Sequence, residues 1–340
     1  PKPLLRVANR PVLDYVLRQL EEVGVDEIIG ITGHLSPSIE AWLAEEHPNL
    51  SFRPVPQEQQ LGTADAIRLA EPYVNGPVLI VFVDTLFDAD LGLIQTMPDR
   101  DGIIWAKEVE DYQRFGVIVT DEEGDMVRIV EKPSEPISRL ANIGLYYVRD
   151  WKLMFEGISK VMAAPPNHGE YFLTDAFQYM IDHGARLFTA EVDHWWDCGK
   201  PETLLETNRE VLLSGGASEP APADGVRVVP PVCVAHDVVL EDTIIGPNVS
   251  IGAGSTIRGG RLRECIVGEN SVLEGCDIHD SLIGDHVTAR GLMGTADAIR
   301  LAEPYVDGPV LIVFVDTLFD ADLGLIQAMP DRDGIIWAKE

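Results

Sequence analysis

The feature that most constrains the fold is a six-residue period in the last third of the sequence. Cys233, Val239, Ile245, Ile251 and Ile257 recur at that interval, and Gly246 and Gly252 directly follow two of them. Val267-Gly268, Leu273 and Ile283-Gly284 carry the theme on after irregular spacings. Helices repeat near 3.6 residues and strands near 2, so neither explains such a series. A parallel β-helix does, because every sixth side chain enters a narrow prism and each coil covers the next. The period predicts that Cys233, Val239, Ile245, Ile251 and Ile257 all point inward, within a β-helix spanning residues 226–291.

The first two-thirds has another grammar. Residues 12–23 place Val12, Leu13, Val16, Leu17 and Leu20 at helical spacing and close on Gly24. Residues 28–32 read as a short strand and 64–69 as a helix that stops before Pro72. Residues 78–83 are a continuous apolar run, suited to a central strand buried on both faces. This alternation predicts an α/β domain with a largely parallel sheet over 1–213. Ligands of such sheets bind beyond the carboxyl ends of the strands, where Asp84 stands. The small, Pro-rich stretch 214–225 reads as a linker.

A second repeat is nearly literal. Residues 294–340 copy 62–108, with only Asn75/Asp307 and Thr96/Ala328 differing. The 292–340 segment, a near-copy of 60–108, lacks the flanking elements of the original and reads as no independent domain. The first copy is expected to form the buried strand, with Asp84 rather than Asp316 at the site. The uncharged run 310–315 is then left to seek a sheet edge or another chain.

Composition narrows the partners. A formal net charge of −30 opposes binding to nucleic acid or an anionic membrane, so neither is expected as a partner. The four cysteines, at 198, 233, 265 and 276, have no metal-ligand spacing. No long apolar span is present, and a cytoplasmic location is expected.

Several polar positions interrupt the apolar elements. In the loop 57–63, Gln57 can read a base edge, Gly62 admits close backbone approach, and Thr63 can equally be a helix N-cap. Asp84 is either a cleft carboxylate of the kind Mg²⁺ takes or a turn residue leading into Thr85. Asp197 follows two tryptophans and can cap a helix beginning near Pro201. Glu131-Lys132-Pro133 closes an apolar stretch, and Pro133 should hold Lys132 in extended geometry. His236, His279 and His286 are available should the β-helix transfer acyl groups, although a structural or oligomerising duty suits so few coils better.

The order of these motifs resembles the sugar-phosphate nucleotidyltransferases, closest to the long-form glucose-1-phosphate thymidylyltransferases with a left-handed β-helix tail. The resemblance implies a Rossmann-like mixed sheet followed by a short left-handed parallel β-helix. It implies nucleotide binding by Gln57, Gly62 and Thr63, and sugar binding by Gly116, Glu131, Lys132, Asn142 and Glu170. Lys2, Asp84, Lys132 and Asp197 become the catalytic set, with Asp84 and Asp197 on Mg²⁺. The family carries Gly before the first of these aspartates, where Val83 stands here. The implied reaction joins a nucleoside triphosphate, dTTP favoured, to a sugar 1-phosphate, releasing pyrophosphate, in a homo-oligomer. A Gly-rich loop precedes the Lys-Pro-Leu segment in that family, whereas this sequence opens on Pro1, so impaired transfer is expected of residues 1–340 alone. The other reading is a non-catalytic sugar-nucleotide-binding or assembly protein.

Overall fold

The structure is a computed structural model, and it describes residues 1–291 apart from Asp26, His34, Leu35, His168 and Pro222. The 292–340 copy, with the 310–315 run and Asp316, lies outside the described residues. One compact unit is Pro1–Thr207, and a second begins at Asn208.

In the first unit a small hairpin, β1 (Arg6–Val7) with β2 (Arg10–Pro11), leads into α1 (Val12–Glu22). Strands β3 (Ile28–Thr32) and β4 (Phe52–Pro56) pair in parallel, with α2 (Ser36–Glu46) between them in sequence. Helix α3 (Thr63–Arg68), β5 (Val78–Val81), β6 (Thr85–Asp88), α4 (Leu93–Thr96) and β7 (Gly102–Glu108) follow. Then come β8 (Gly116–Thr120), β9 (Met126–Glu131), β10 (Leu140–Val148), α5 (Trp151–Met162) and α6 (Leu173–Asp182). Strands β11 (Leu187–Glu191) and β12 (His194–Asp197) and helix α7 (Pro201–Val211) complete the series.

The main sheet runs β11-β7-β10-β8-β9, with β5 also against β10. It is mixed rather than largely parallel. Only β11 on β7 is a parallel pair, while β10 is antiparallel to β5, β7 and β8. The strand buried on both faces is β7, not the 78–83 run. Ile104 and Ala106 pack toward Phe177 and Met180, whereas Ile103 and Trp105 pack toward Phe87 and Val192. The regular strand at 78–83 spans only Val78–Val81, and three of its four residues are half-buried. Its described partner is β10 alone, and its other side lines a cavity. Apolar content announced a strand there, but it could not distinguish a wall of a cleft from a central position.

In the second unit, β13 (Arg227–Val228), β14 (Val232–Val234), β15 (Val239–Glu241), β16 (Ile244–Ile245) and β17 (Val249–Ile251) are followed by β18 (Thr256–Val267), β19 (Val272–Ile283) and β20 (Thr288–Arg290). All their pairings are parallel, which makes a β-helix. Val232 pairs with Val249 and Val249 with Cys265, so successive coils take 17 and then 16 residues. Three full six-residue rungs would need more, so the strict period fails. Ile245, Ile251 and Ile257 do enter the core, together with Val234, Leu262, Val267 and Leu273. Val239 does not, being 43% exposed while its neighbour Leu240 packs inward. Cys233 is buried but lies outside the core stack, between the inward Val232 and Val234 and bridged to Ser218. The corners explain the slip. Asp242, Glu264 and Asp280, within the five-residue steps Leu240 to Ile245, Leu262 to Val267 and Ile278 to Ile283, each take a φ of 48°. Left-handed corner residues turn the chain in fewer positions than an even six-residue rung allows.

Candidate functional site

Strands β3 and β5 line one cavity of about 1170 Å³. Its walls are apolar, from Leu13 and Leu17 of α1, Ile29 and Ile31 of β3, and Ile80 of β5. Lys2, Gln57, Gln60, Thr63 and Asp84 supply polar groups to the same cavity. A mostly apolar hollow with a few polar groups is the usual form of a small-molecule site.

The loop before α3 is held in one shape. Gly62 has φ 103°, and a Cβ there would stand 2.5 Å from Tyr171 O and 2.7 Å from Tyr171 N. The strand-like contact is real: Tyr171 N donates to Leu61 O at 2.8 Å and Ala64 N to Tyr171 O at 2.9 Å. Thr63 Oγ1 accepts from Leu173 N at 2.9 Å. Thr63 thus caps a different helix, α6, rather than its own. Gln57 Nε2 donates to Asp65 Oδ2 at 3.0 Å. With its amide nitrogen so engaged, the Gln57 carbonyl oxygen is the end left to meet a donor on a ligand.

Asp84 sits in the turn between β5 and β6, and Asp197 ends β12. The antiparallel register pairs Asp197 with Thr85, and Cys198 N donates to Asp84 O at 2.8 Å. Two residues 113 apart in number are thereby neighbours. Asp197 Oδ1 accepts from Gly199 N at 2.7 Å, a local turn rather than a cap on α7. A Cβ on Gly199 would lie 2.9 Å from Asp197 Oδ1 and 3.6 Å from Asp84 Oδ2, so both carboxylates flank one glycine. Asp84 is open to the cavity yet ringed by protein atoms. That desolvation, then the Asp197 charge, pushes its carboxyl above the ordinary range, with Lys2 opposing. Among the described residues no cluster of three or more His, Cys, Asp or Glu could hold a metal. A pair of like-charged carboxylates with no third protein ligand matches Mg²⁺, which takes one or two carboxylates and fills its shell with water and phosphate oxygens. Burial drives the Cys198 thiol up to about 12, which keeps it protonated and inert.

A second cluster forms around Gly116, at the start of β8. A Cβ there would collide with Asn142 Nδ2 and stand 2.7 Å from Thr174 Cγ2 and 3.0 Å from Glu131 Oε2. Asn142 Nδ2 donates to Gly116 O at 2.8 Å, and the buried Tyr146 hydroxyl donates to Asn142 Oδ1. Thr174 Oγ1 donates to Glu131 Oε2 at 3.1 Å. Burial raises the Glu131 carboxyl, while the Thr174 bond and Lys132 pull the other way. Lys132 Nζ lies 4.0 Å from Glu131 Oε1 and 5.2 Å from the Phe172 ring centre. Lys132 is not extended as Pro133 suggested. Its φ is 43°, because its N–H continues the β8–β9 ladder by donating to Phe115 O at 3.0 Å. Glu170 is exposed, and its Cβ is 3.1 Å from the position a Gly62 Cβ would take.

The structure thus brings the predicted residues into three groups: Gln57, Gly62 and Thr63; Asp84 and Asp197; Gly116, Glu131, Lys132 and Asn142. Glu131, Asn142 and Asp197 do not line the β3–β5 cavity. One short segment ties the first group to the third, since Tyr171 and Leu173 bond the loop and Thr174 bonds Glu131. Sequence reasoning missed Asp65, Tyr146, Thr174 and Arg114. Asp65 and Tyr146 look like a first-turn acid and a core aromatic. Arg114 Nη2, 3.6 Å from Asp197 Oδ2, looked like an ordinary surface cation before Phe115-Gly116.

Several known proteins are similar to this chain over most of the first unit. A low-salt glycan biosynthesis nucleotidyltransferase of Haloferax volcanii is 32% identical over 84% of this chain and 86% of its own length. A glucose-1-phosphate thymidylyltransferase of Streptomyces antibioticus is 28% identical over 88% of this chain and 90% of its own. A crystal structure of UDP-glucose pyrophosphorylase complexed with UDP-glucose shares the fold, with a TM-score of 0.57 and 24% identity over 63% of this chain and 91% of that one. The family model described as nucleotidyl transferase matches residues 1–214, and the chain belongs to that family, among its sugar-phosphate nucleotidyltransferases.

Proposed function

We propose that this chain transfers a nucleotidyl group from dTTP to a sugar 1-phosphate, giving a nucleotide sugar and pyrophosphate. The observation that carries the reading is the meeting of Asp84 and Asp197 at Gly199, in the unit that also holds the Gln57–Thr63 loop and the polar cluster at Gly116. In this reading the Gln57 carbonyl oxygen accepts from a pyrimidine N–H, and Gly62, by admitting the Tyr171 backbone, fixes the loop against which the base lies. Gly116 lets Asn142, Thr174 and Glu131 close together, and the hydroxyls of the sugar meet Asn142 and Glu131 of that cluster. Lys132 holds the sugar phosphate, with Glu131 close enough to keep its charge paired. A phosphate oxygen of the sugar attacks the α-phosphorus, its bond to the β-phosphate oxygen breaks, and pyrophosphate leaves. Catalysis is then positioning and charge neutralisation, with no covalent intermediate. Mg²⁺, held by Asp84 and Asp197, would supply charge stabilisation at the phosphates. Lys2, whose charge reaches Asp84, is placed to steady the departing pyrophosphate.

The thymidylyl preference draws on the Streptomyces relative, and a homo-oligomer is part of the same reading. A pyrophosphate-release screen of nucleoside triphosphates against sugar 1-phosphates tests it. The expected result is release that needs both substrates and is fastest with dTTP. Tight binding of a nucleotide sugar with no release in any combination would favour the non-catalytic reading instead.

A further inference from the structure

Asp197 has a cation beside it before any metal arrives. Gly199 N–H takes Oδ1 at 2.7 Å, and Arg114 Nη2 stands 3.6 Å from the other oxygen, Oδ2. The same guanidinium has a second carboxylate within reach, since Nη1 donates to Asp111 Oδ2 at 2.8 Å. Asp111 precedes the single turn Tyr112–Arg114, so donor and acceptor move together as one local unit. The guanidinium carbon lies 5.3 Å from the Phe115 ring centre, and Phe115 meets Trp195 edge-on at 5.0 Å. Those contacts aim the side chain toward the end of β12. Arg114 is 42% exposed, so its pairing with Asp197 is weak enough to exchange.

We propose that Arg114 is a positioning residue of the acidic pair: it neutralises Asp197 in the metal-free protein and yields Oδ2 to a divalent cation by withdrawing onto Asp111. The proposal rests on reading Asp84 and Asp197 as metal ligands. Its physical basis is charge. Two carboxylates flanking Gly199 repel one another when empty, and a monovalent cation relieves part of that repulsion without closing the site. A dication touching both carboxylates then outcompetes a guanidinium that touches one.

The test is a Mn²⁺ titration followed by electron paramagnetic resonance on the full chain, with guanidinium ¹⁵N spectra of Arg114 alongside. Arg114→Gln should tighten Mn²⁺ binding by about two- to fivefold, the equilibrium worth of an exposed ion pair. Unchanged or weaker binding in that variant overturns the proposal. In the metal-free protein, Asp197→Asn should shift the Arg114 Nη2 resonance while Nη1 stays held by Asp111, and saturating Mg²⁺ should produce the same shift in the unaltered chain. An Arg114 signal indifferent to both also overturns it. The underlying reading is tested separately, because Asp84→Asn and Asp197→Asn should each weaken Mn²⁺ binding about tenfold or more. Failure there removes the metal site but leaves the metal-free Arg114–Asp197 spectrum as an independent result.

Discussion

At the scale of single residues, the site depends on positions where a side chain is missing or buried against its preference. Gly62 combines a φ of 103° with backbone atoms 2.5 Å from any Cβ. Gly62→Ala should therefore cost at least about 1–3 kcal/mol of stability and loosen the loop that Gln57 and Thr63 share. Thermal melts and nucleotide titration of that variant check both effects. Glu131 is a carboxylate whose burial raises its proton affinity above that of the unfolded chain. The folded state then holds this proton more tightly than the unfolded one. Stability falls as pH rises from the ordinary carboxylate value through the raised one, and the loss is complete above it. Glu131→Gln, which can still accept from Thr174, should melt at a higher temperature than the parent at pH 7. The difference should vanish below about pH 4, near the ordinary glutamate value. A variant that melts lower at pH 7 would show that the ionised form is needed for folding.

These residue roles were unevenly legible. Gln57, Gly62, Thr63, Asp84, Gly116, Glu131, Lys132, Asn142, Glu170 and Asp197 stood out because polar or small residues interrupt apolar runs, and because their order matched a family. Thr174 and Tyr146 did not, since a threonine in a helix start and a tyrosine in a strand have ample structural reasons to be there. Their significance lies in side-chain bonds: Thr174 of α6 reaches Glu131 at the end of β9, and Tyr146 reaches back along β10 to Asn142, which alternation of apolar residues does not encode.

At the scale of elements, helices were read more faithfully than sheet order. The spacing in 12–23 predicted α1, and the structure places it at Val12–Glu22. Strand 28–32 also stands where the pattern put it. Pairing was another matter, because direction and neighbour depend on distant contacts: β10 joins β5, β7 and β8 from three separate parts of the chain. The β-helix shows the same division. Its existence was written in the period, whereas its register was set by left-handed corners that shorten the coil. Ile251 is fully buried and Val239 is 43% exposed. Ile251→Asp should destabilise the β-helix by several kcal/mol, roughly 3 or more, as an unpaired buried charge does. Val239→Asp should stay within about 0.5 kcal/mol. Urea melts of the two variants compare them directly, and equal losses would restore the strict six-residue register.

At the scale of the whole molecule, the family fold brings distant acidic and polar side chains into one unit. Asp84 and Asp197 are brought together by the antiparallel pairing of β6 with β12, and the segment Tyr171–Thr174 ties the Gln57–Thr63 loop to the Gly116 cluster. Both connections lie within Pro1–Thr207, the unit to which the family assignment chiefly applies. The most direct measurement follows label from α-phosphorus-labelled dTTP into glucose 1-phosphate in a single turnover, which detects even slow transfer. The account predicts labelled nucleotide sugar only when sugar phosphate and Mg²⁺ are both present, with Asp197→Asn slowing transfer by about 10²–10³. Label appearing as free nucleotide without sugar phosphate, or transfer untouched by Asp197→Asn, would contradict it.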